Sequence, residues 1–95
     1  MWRLNMEPSY AQHVAAALKL RLERLFDQVE VVVHEDTKGR QAVRASVFHR
    51  KAIVGLTTQI NEDDIKVMQD SIGYCDVIAN MMGRKLANAI MDTPQ

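Results

Sequence analysis

Three consecutive stretches decide how this chain folds: Val29-Glu30-Val31-Val32-Val33-His34, the turn Glu35-Asp36-Thr37-Lys38-Gly39-Arg40, and the run Val43-Arg44-Ala45-Ser46-Val47-Phe48. β-Branched side chains crowd a helix and fit a pleated sheet, so four valines within six residues predict a strand. Gly39 supplies the positive φ that a tight reversal needs. Val43, Ala45 and Val47 then alternate with Arg44, Ser46 and Phe48, the period of two of a half-buried strand. After His49-Arg50-Lys51, residues 52–58 are strand-like again. The pattern predicts a three-stranded antiparallel meander whose least regular turn is His49-Arg50-Lys51, which lacks Gly or Asn.

Helices flank this core of strands. Ser9-Tyr10-Ala11-Gln12 has the spacing of a capping box, and Ala11, Ala15, Leu18, Leu22 and Leu25 follow at steps of three and four, predicting a helix over 9–28. Downstream, Asn61-Glu62-Asp63-Asp64 pairs an Asn cap with three carboxylates where the helix dipole favours them. Ile65, Met68, Ile72, Cys75, Ala79, Met82, Leu86 and Ala89 continue the periodicity, so one helix is predicted to run to about residue 91. At 1.5 Å per residue it would span about 45 Å, more than so small a core can cover. Part of it would project or pack on a second chain. Gly73 and Gly83 each disfavour a helix interior by about 1 kcal/mol, and a break near Gly73 is the alternative. The reading is an α+β fold in the order α-β-β-β-α: an arm over 1–8, one domain over 9–92 and a tail over 93–95.

Ninety-five residues and 10.8 kDa correspond to one domain, and 47% hydrophobic with 25% charged residues is ordinary globular usage. So short a chain hides only about 60% of its unfolded surface, which favours oligomerisation. A single cysteine, Cys75, forms no intrachain disulfide. The longest apolar run, Val14 to Leu18, is far below the roughly 20 residues of a membrane span. Neither a membrane partner nor secretion is expected, and a reducing cytoplasmic location is the default.

Twelve basic residues balance twelve acidic ones, which removes the simplest argument for a nucleic-acid partner. The charge is nevertheless sorted into blocks. Residues 38–51 hold Lys38, Arg40, Arg44, Arg50 and Lys51 without one acid, as a phosphate partner would require. The competing reading is a solvated sheet face and charged turns that blunt strand edges. Lys19 and Arg24 on the first helix, with Arg84 and Lys85 on the last, are further candidates. Arg21 beside Glu23 reads as local pairing.

Other constellations carry little chemistry. Three consecutive carboxylates at 62–64 diverge around a helix and are explained by the cap, so no metal is expected there. His13, His34 and His49 fall in separate elements without ligand spacing. Cys75, at an apolar helical position, reads as core or dimer seam rather than nucleophile. With no phosphate loop and no nucleophile elbow, an enzyme with catalytic residues or a cofactor is not expected.

The order of elements and the wording of the junctions resemble the YbaB/EbfC family of nucleoid-associated DNA-binding proteins. Lys38-Gly39-Arg40, Ala42-Val43-Arg44-Ala45-Ser46-Val47, Ile60 and Glu62-Asp63-Asp64-Ile65-Lys66-Val67-Met68-Gln69-Asp70 carry the resemblance, which spans about 9–91. The family's Asn-Gly type of turn is replaced by His49-Arg50-Lys51, and its Gly- and Met-rich flanking tails are missing. The resemblance implies a non-enzymatic, nucleoid-associated homodimer, joined largely through its sheets, that contacts duplex DNA with helical basic residues. Lys19, Arg24, Arg84 and Lys85 match those helical positions by charge and element. Met68, Ile72, Cys75, Met82 and Leu86, on an apolar surface wider than one stripe, are the expected dimer interface. A protein-interaction module, acting as an adaptor or as an inhibitor of a partner enzyme on the same dimeric scaffold, is the alternative.

Overall fold

The computed structural model describes residues 9–35 and 37–91. The expected arm over 1–8, Asp36 and the tail over 93–95 lie outside the described residues. The elements are α1 (Tyr10–Glu23), β1 (Gln28–Glu35), β2 (Gln41–His49), β3 (Ala52–Ile60), α2 (Glu62–Asp70) and α3 (Tyr74–Met91). The fold is α+β, with a three-stranded antiparallel sheet in the order β1-β2-β3. Among the described residues no helix is long and apolar enough to cross a membrane.

Each helix start follows from local chemistry. Ser9 accepts from the Gln12 N–H at 3.2 Å while the Gln12 side chain accepts from the Ser9 N–H at 3.0 Å, closing a capping box. Asn61 and Asp64 form the second box, with Asn61 accepting from the Asp64 N–H at 2.8 Å. α1 ends earlier than its periodicity predicts. The N–H groups of Leu25 and Phe26 both turn back to the Leu22 carbonyl, which leaves Leu25 exposed and brings the Phe26 ring edge-on to His49 at 5.7 Å.

The sheet register separates two faces. Val29, Val31 and Val33 stand opposite Val47, Ala45 and Val43, which stand opposite Val54, Leu56 and Thr58. This face packs on the helices with fully buried Leu18, Leu22, Met68, Met82 and Leu86. The other face carries Val32, Arg44, Phe48, Ile53, Gly55 and Thr57, and Ile53 is 74% exposed.

A single helix over 61–91 is not formed. Ser71 adopts φ −148° and ψ 105°, an extended conformation that ends α2, and the N–H of Tyr74 starts the next helix from the Ser71 carbonyl. The cause lies in side-chain contacts that one straight rod forbids. Met68 Sδ and Cys75 Sγ lie 3.3 Å apart, and the Tyr74 hydroxyl donates to Asp64 Oδ1 at 3.4 Å. Residues 64 and 74 would be separated by about 15 Å along an unbroken helix. The alternative break near Gly73 is the one observed, and with it goes the argument that a 45 Å helix must project.

The hairpin between β2 and β3 is tighter than its sequence suggests. His49 pairs with Ala52, so the loop is Arg50-Lys51 alone, with φ of 50° and 68°. Two successive positive φ values match the strand twist but strain residues that have a Cβ, by about 1 kcal/mol each. The double replacement Arg50→Asn with Lys51→Gly is therefore expected to raise unfolding stability by about 1–2 kcal/mol, read from the urea midpoint at unchanged m-value.

Candidate nucleic-acid interface

α1 and α3 pack against each other at Gly83, where a Cβ would stand at ordinary contact distance, 3.7 Å, from Leu18 Cδ1. At this crossing Arg21, Arg24 and Arg84 line one open groove of about 300 Å³ with Leu22, Leu25, Asn80, Gly83 and Ala87, and among the described residues no carboxylate lines it. Arg21 and Arg24 are three residues apart and so share a helix face. All three arginines are exposed. Guanidinium groups present donors in a planar fork that matches phosphate oxygens in pairs.

Arg21 joins this set against expectation. Its neighbour Glu23 lies two residues on, about 200° around the helix, so the two side chains point apart. The spacing of Arg21 and Arg24 already held that signal. Lys19 is offset from Arg21 by the same angle, and Lys85 lies about 100° round α3 from Arg84. Both lysines are exposed but stand outside the groove.

The basic run of 38–51 is divided by the strand it brackets. Lys38 and Arg40 lie at one end of the sheet, where they line a depression with Asn61, Glu62 and Asp63. Two carboxylates remote in sequence thus offset this half of the run. Arg50 and Lys51 lie at the other end, about 30 Å away along β2. Arg50 lines a second depression with Phe26, Asp27, Gln28, Phe48 and His49. Leu25 lines both that depression and the arginine groove, which places Arg50 at the same end of the molecule as Arg21, Arg24 and Arg84. Arg44 lies on the open sheet face between Val32 and Thr57, with Glu30 and His34 of β1 on the same face.

Four of the five expected dimer-interface residues are committed to the chain's own core. Met68, Cys75, Met82 and Leu86 are at most 4% exposed, because the break between α2 and α3 turns the sulfur-bearing side chains inward. Ile72, 53% exposed in that break, is the exception. On α2, α3 and the break between them Val67, Ile72, Val77, Met81 and Met91 stay exposed, as do Leu20, Leu25, Phe48 and Ile53 elsewhere.

Burial pushes the Cys75 thiol up from its ordinary range, and the neighbouring Asp76 carboxylate pushes the same way. The thiolate is therefore scarce at neutral pH. Alkylation at pH 8 is expected to be at least tenfold slower than in urea-unfolded protein, as a time course with a thiol reagent would show. No protein-family model, curated protein or solved structure matches this chain.

Proposed function

We propose that the protein is a non-enzymatic, homodimeric DNA-binding protein of nucleoid-associated type that holds duplex phosphates through its helical arginines. The observation that carries this reading is the meeting of Arg21, Arg24 and Arg84 in one groove to which the described residues contribute no carboxylate. Three guanidinium groups held together without a counter-charge favour an anion, and a repeated phosphate backbone satisfies several such groups at once. Arg50 lies at the same end of the molecule, in a depression that Asp27 also lines. Lys38 and Arg40 contribute less, since Glu62 and Asp63 stand beside them. Phosphate contacts position a protein without reading bases, so sequence preference is weak or shape-based.

A protein partner is the second reading, favoured by the exposed apolar residues Val67, Ile72, Val77 and Met81. Salt separates the two. Anisotropy of a labelled duplex of about 30 bp, titrated at about 50 and 200 mM salt, is expected to show binding that weakens by orders of magnitude. Absence of binding at the lower salt would sink the DNA reading, whereas docking through the apolar residues would hold as salt rises.

A further inference from the structure

Two depressions meet at Leu25 and differ in chemistry. The arginine groove suits phosphate oxygens, since the described residues give it no carboxylate. The depression beyond Leu25 has a volume of about 380 Å³, within the roughly 300–1,000 Å³ of small-molecule sites, and three rings line it: Phe26, Phe48 and His49. The Phe26 and His49 rings are half-buried and inclined at 74° to each other, edge to face rather than stacked. Phe48 stands at the end of β2, exposed, and pairs across the strands with the exposed Ile53. Asp27 and Arg50 complete the lining. A carboxylate here repels phosphate, so a second phosphate site is disfavoured. An acceptor and a guanidinium beside aromatic rings instead complement a nucleobase, which has a π-face to stack and an edge of donors and acceptors.

We propose that this depression takes one unstacked nucleobase of a DNA strand whose neighbouring phosphates lie in the arginine groove, so that the protein prefers DNA with unpaired nucleotides to a fully paired duplex. The proposal rests on the phosphate contacts of the function proposed above and adds to them the class of DNA preferred. A single sugar joins a base to its phosphate, and the wall shared at Leu25 sets the two sites side by side as that linkage requires. Both sides of the depression are held by the chain's own bonds. The N–H groups of Leu25 and Phe26 turn back to the Leu22 carbonyl, and Arg50 belongs to the two-residue hairpin between the paired residues His49 and Ala52. Little ordering is then needed on binding. A base within an intact duplex must be unpaired and unstacked before it can enter, whereas a base already unpaired enters without that penalty. Stacking tolerates any base, which agrees with weak sequence preference.

Anisotropy titrations at about 50 mM salt with two labelled DNAs of about 30 bp test this, one fully paired and one with a central bubble of about five unpaired nucleotides. The unaltered protein is expected to bind the bubble about tenfold or more tightly. Phe48→Leu keeps an apolar side chain and removes the ring; it is expected to weaken bubble binding about fivefold or more and to leave the paired duplex within about twofold. Phe48→Tyr restores a ring and is expected to keep the preference. Urea melts show that each variant is folded. Independently of any substitution, 5-iodouracil placed in the bubble and irradiated in the complex is expected to cross-link to the segments 26–28 or 48–50. Equal affinity for the two DNAs overturns the proposal. So does a bubble preference that Phe48→Leu leaves intact, because flexibility of the unpaired stretch then accounts for it, and so does cross-linking only to other segments. These results leave the arginine groove standing as a phosphate site, whereas failure of both DNAs to bind removes the phosphate reading together with the proposal.

Discussion

The triple variant Arg21→Glu, Arg24→Glu, Arg84→Glu is expected to lose at least a hundredfold in affinity for duplex DNA at about 50 mM salt, with a flatter dependence on salt. Each phosphate neutralised releases counterions and adds about 0.9 to the log–log slope. Removing three contacts from each protomer of a dimer therefore lowers the slope by about five. Reversing the charge adds repulsion to the lost contact, which makes the effect larger than alanine would give. The groove predicts a hierarchy as well as a loss. Lys85→Glu, about 100° round α3 from Arg84, should weaken binding far less than Arg84→Glu. The set Arg44→Glu, Arg50→Glu, Lys51→Glu tests the hairpin route separately; Arg50 and Lys51 lie at the groove's own end of the molecule and Arg44 on the open sheet face. Equal effects from Lys85 and Arg84 would show that net charge rather than the groove governs binding, and no effect from either set would remove both sites.

The largest stability effect is expected at Leu18. Its side chain is fully buried where α1 meets α3 over Gly83, and replacement by alanine leaves a cavity that neither helix can readily fill. Such truncations destabilise by about 3–4 kcal/mol, a shift of roughly 15–25 °C in Tm for a domain of this size. A 95-residue domain holds roughly 5–14 kcal/mol in all, so Leu18→Ala removes a large share without by itself ensuring unfolding. Leu20→Ala is the control. Leu20 is 62% exposed on the same helix, and its loss should fall within about 0.5 kcal/mol in a urea titration. If both variants melt alike, the α1–α3 crossing is not the centre of the core.

The sheet was legible because its grammar is local. Valines at 29, 31 and 33 and the alternation at 43–47 each report a face within a few residues, and the observed register joins those same positions. The break after α2 was harder to see because apolar residues keep helical spacing across it. Met68, Ile72 and Cys75 read as one stripe, yet the stripe is folded back so that Met68 and Cys75 touch. Only the pair Ser71 and Gly73 marked the place. The site divides in the same way. Arg21 and Arg24 were readable as neighbours on one helix, whereas their meeting with Arg84 depends on a helix crossing some sixty residues away. The same nonlocality set Glu62 and Asp63 beside Lys38 and Arg40, and no window along the chain contains that fact. The hairpin loop was obscure for another reason, since Arg50 and Lys51 hold a backbone shape for which sequence statistics favour Asn and Gly.

The short α2 also has a bearing on how the domain breathes. Of its nine residues only Met68 is fully buried; Ile65 is partly buried against the core, and the cap and the Asp64–Tyr74 hydrogen bond add to these. An element with so little buried surface opens at a free energy well below that of global unfolding. Lifting α2 removes Met68 from Cys75 while the α1–α3 crossing and the arginine groove stay assembled. An opening of α2 alone would thus expose one end of the molecule and leave its other end intact.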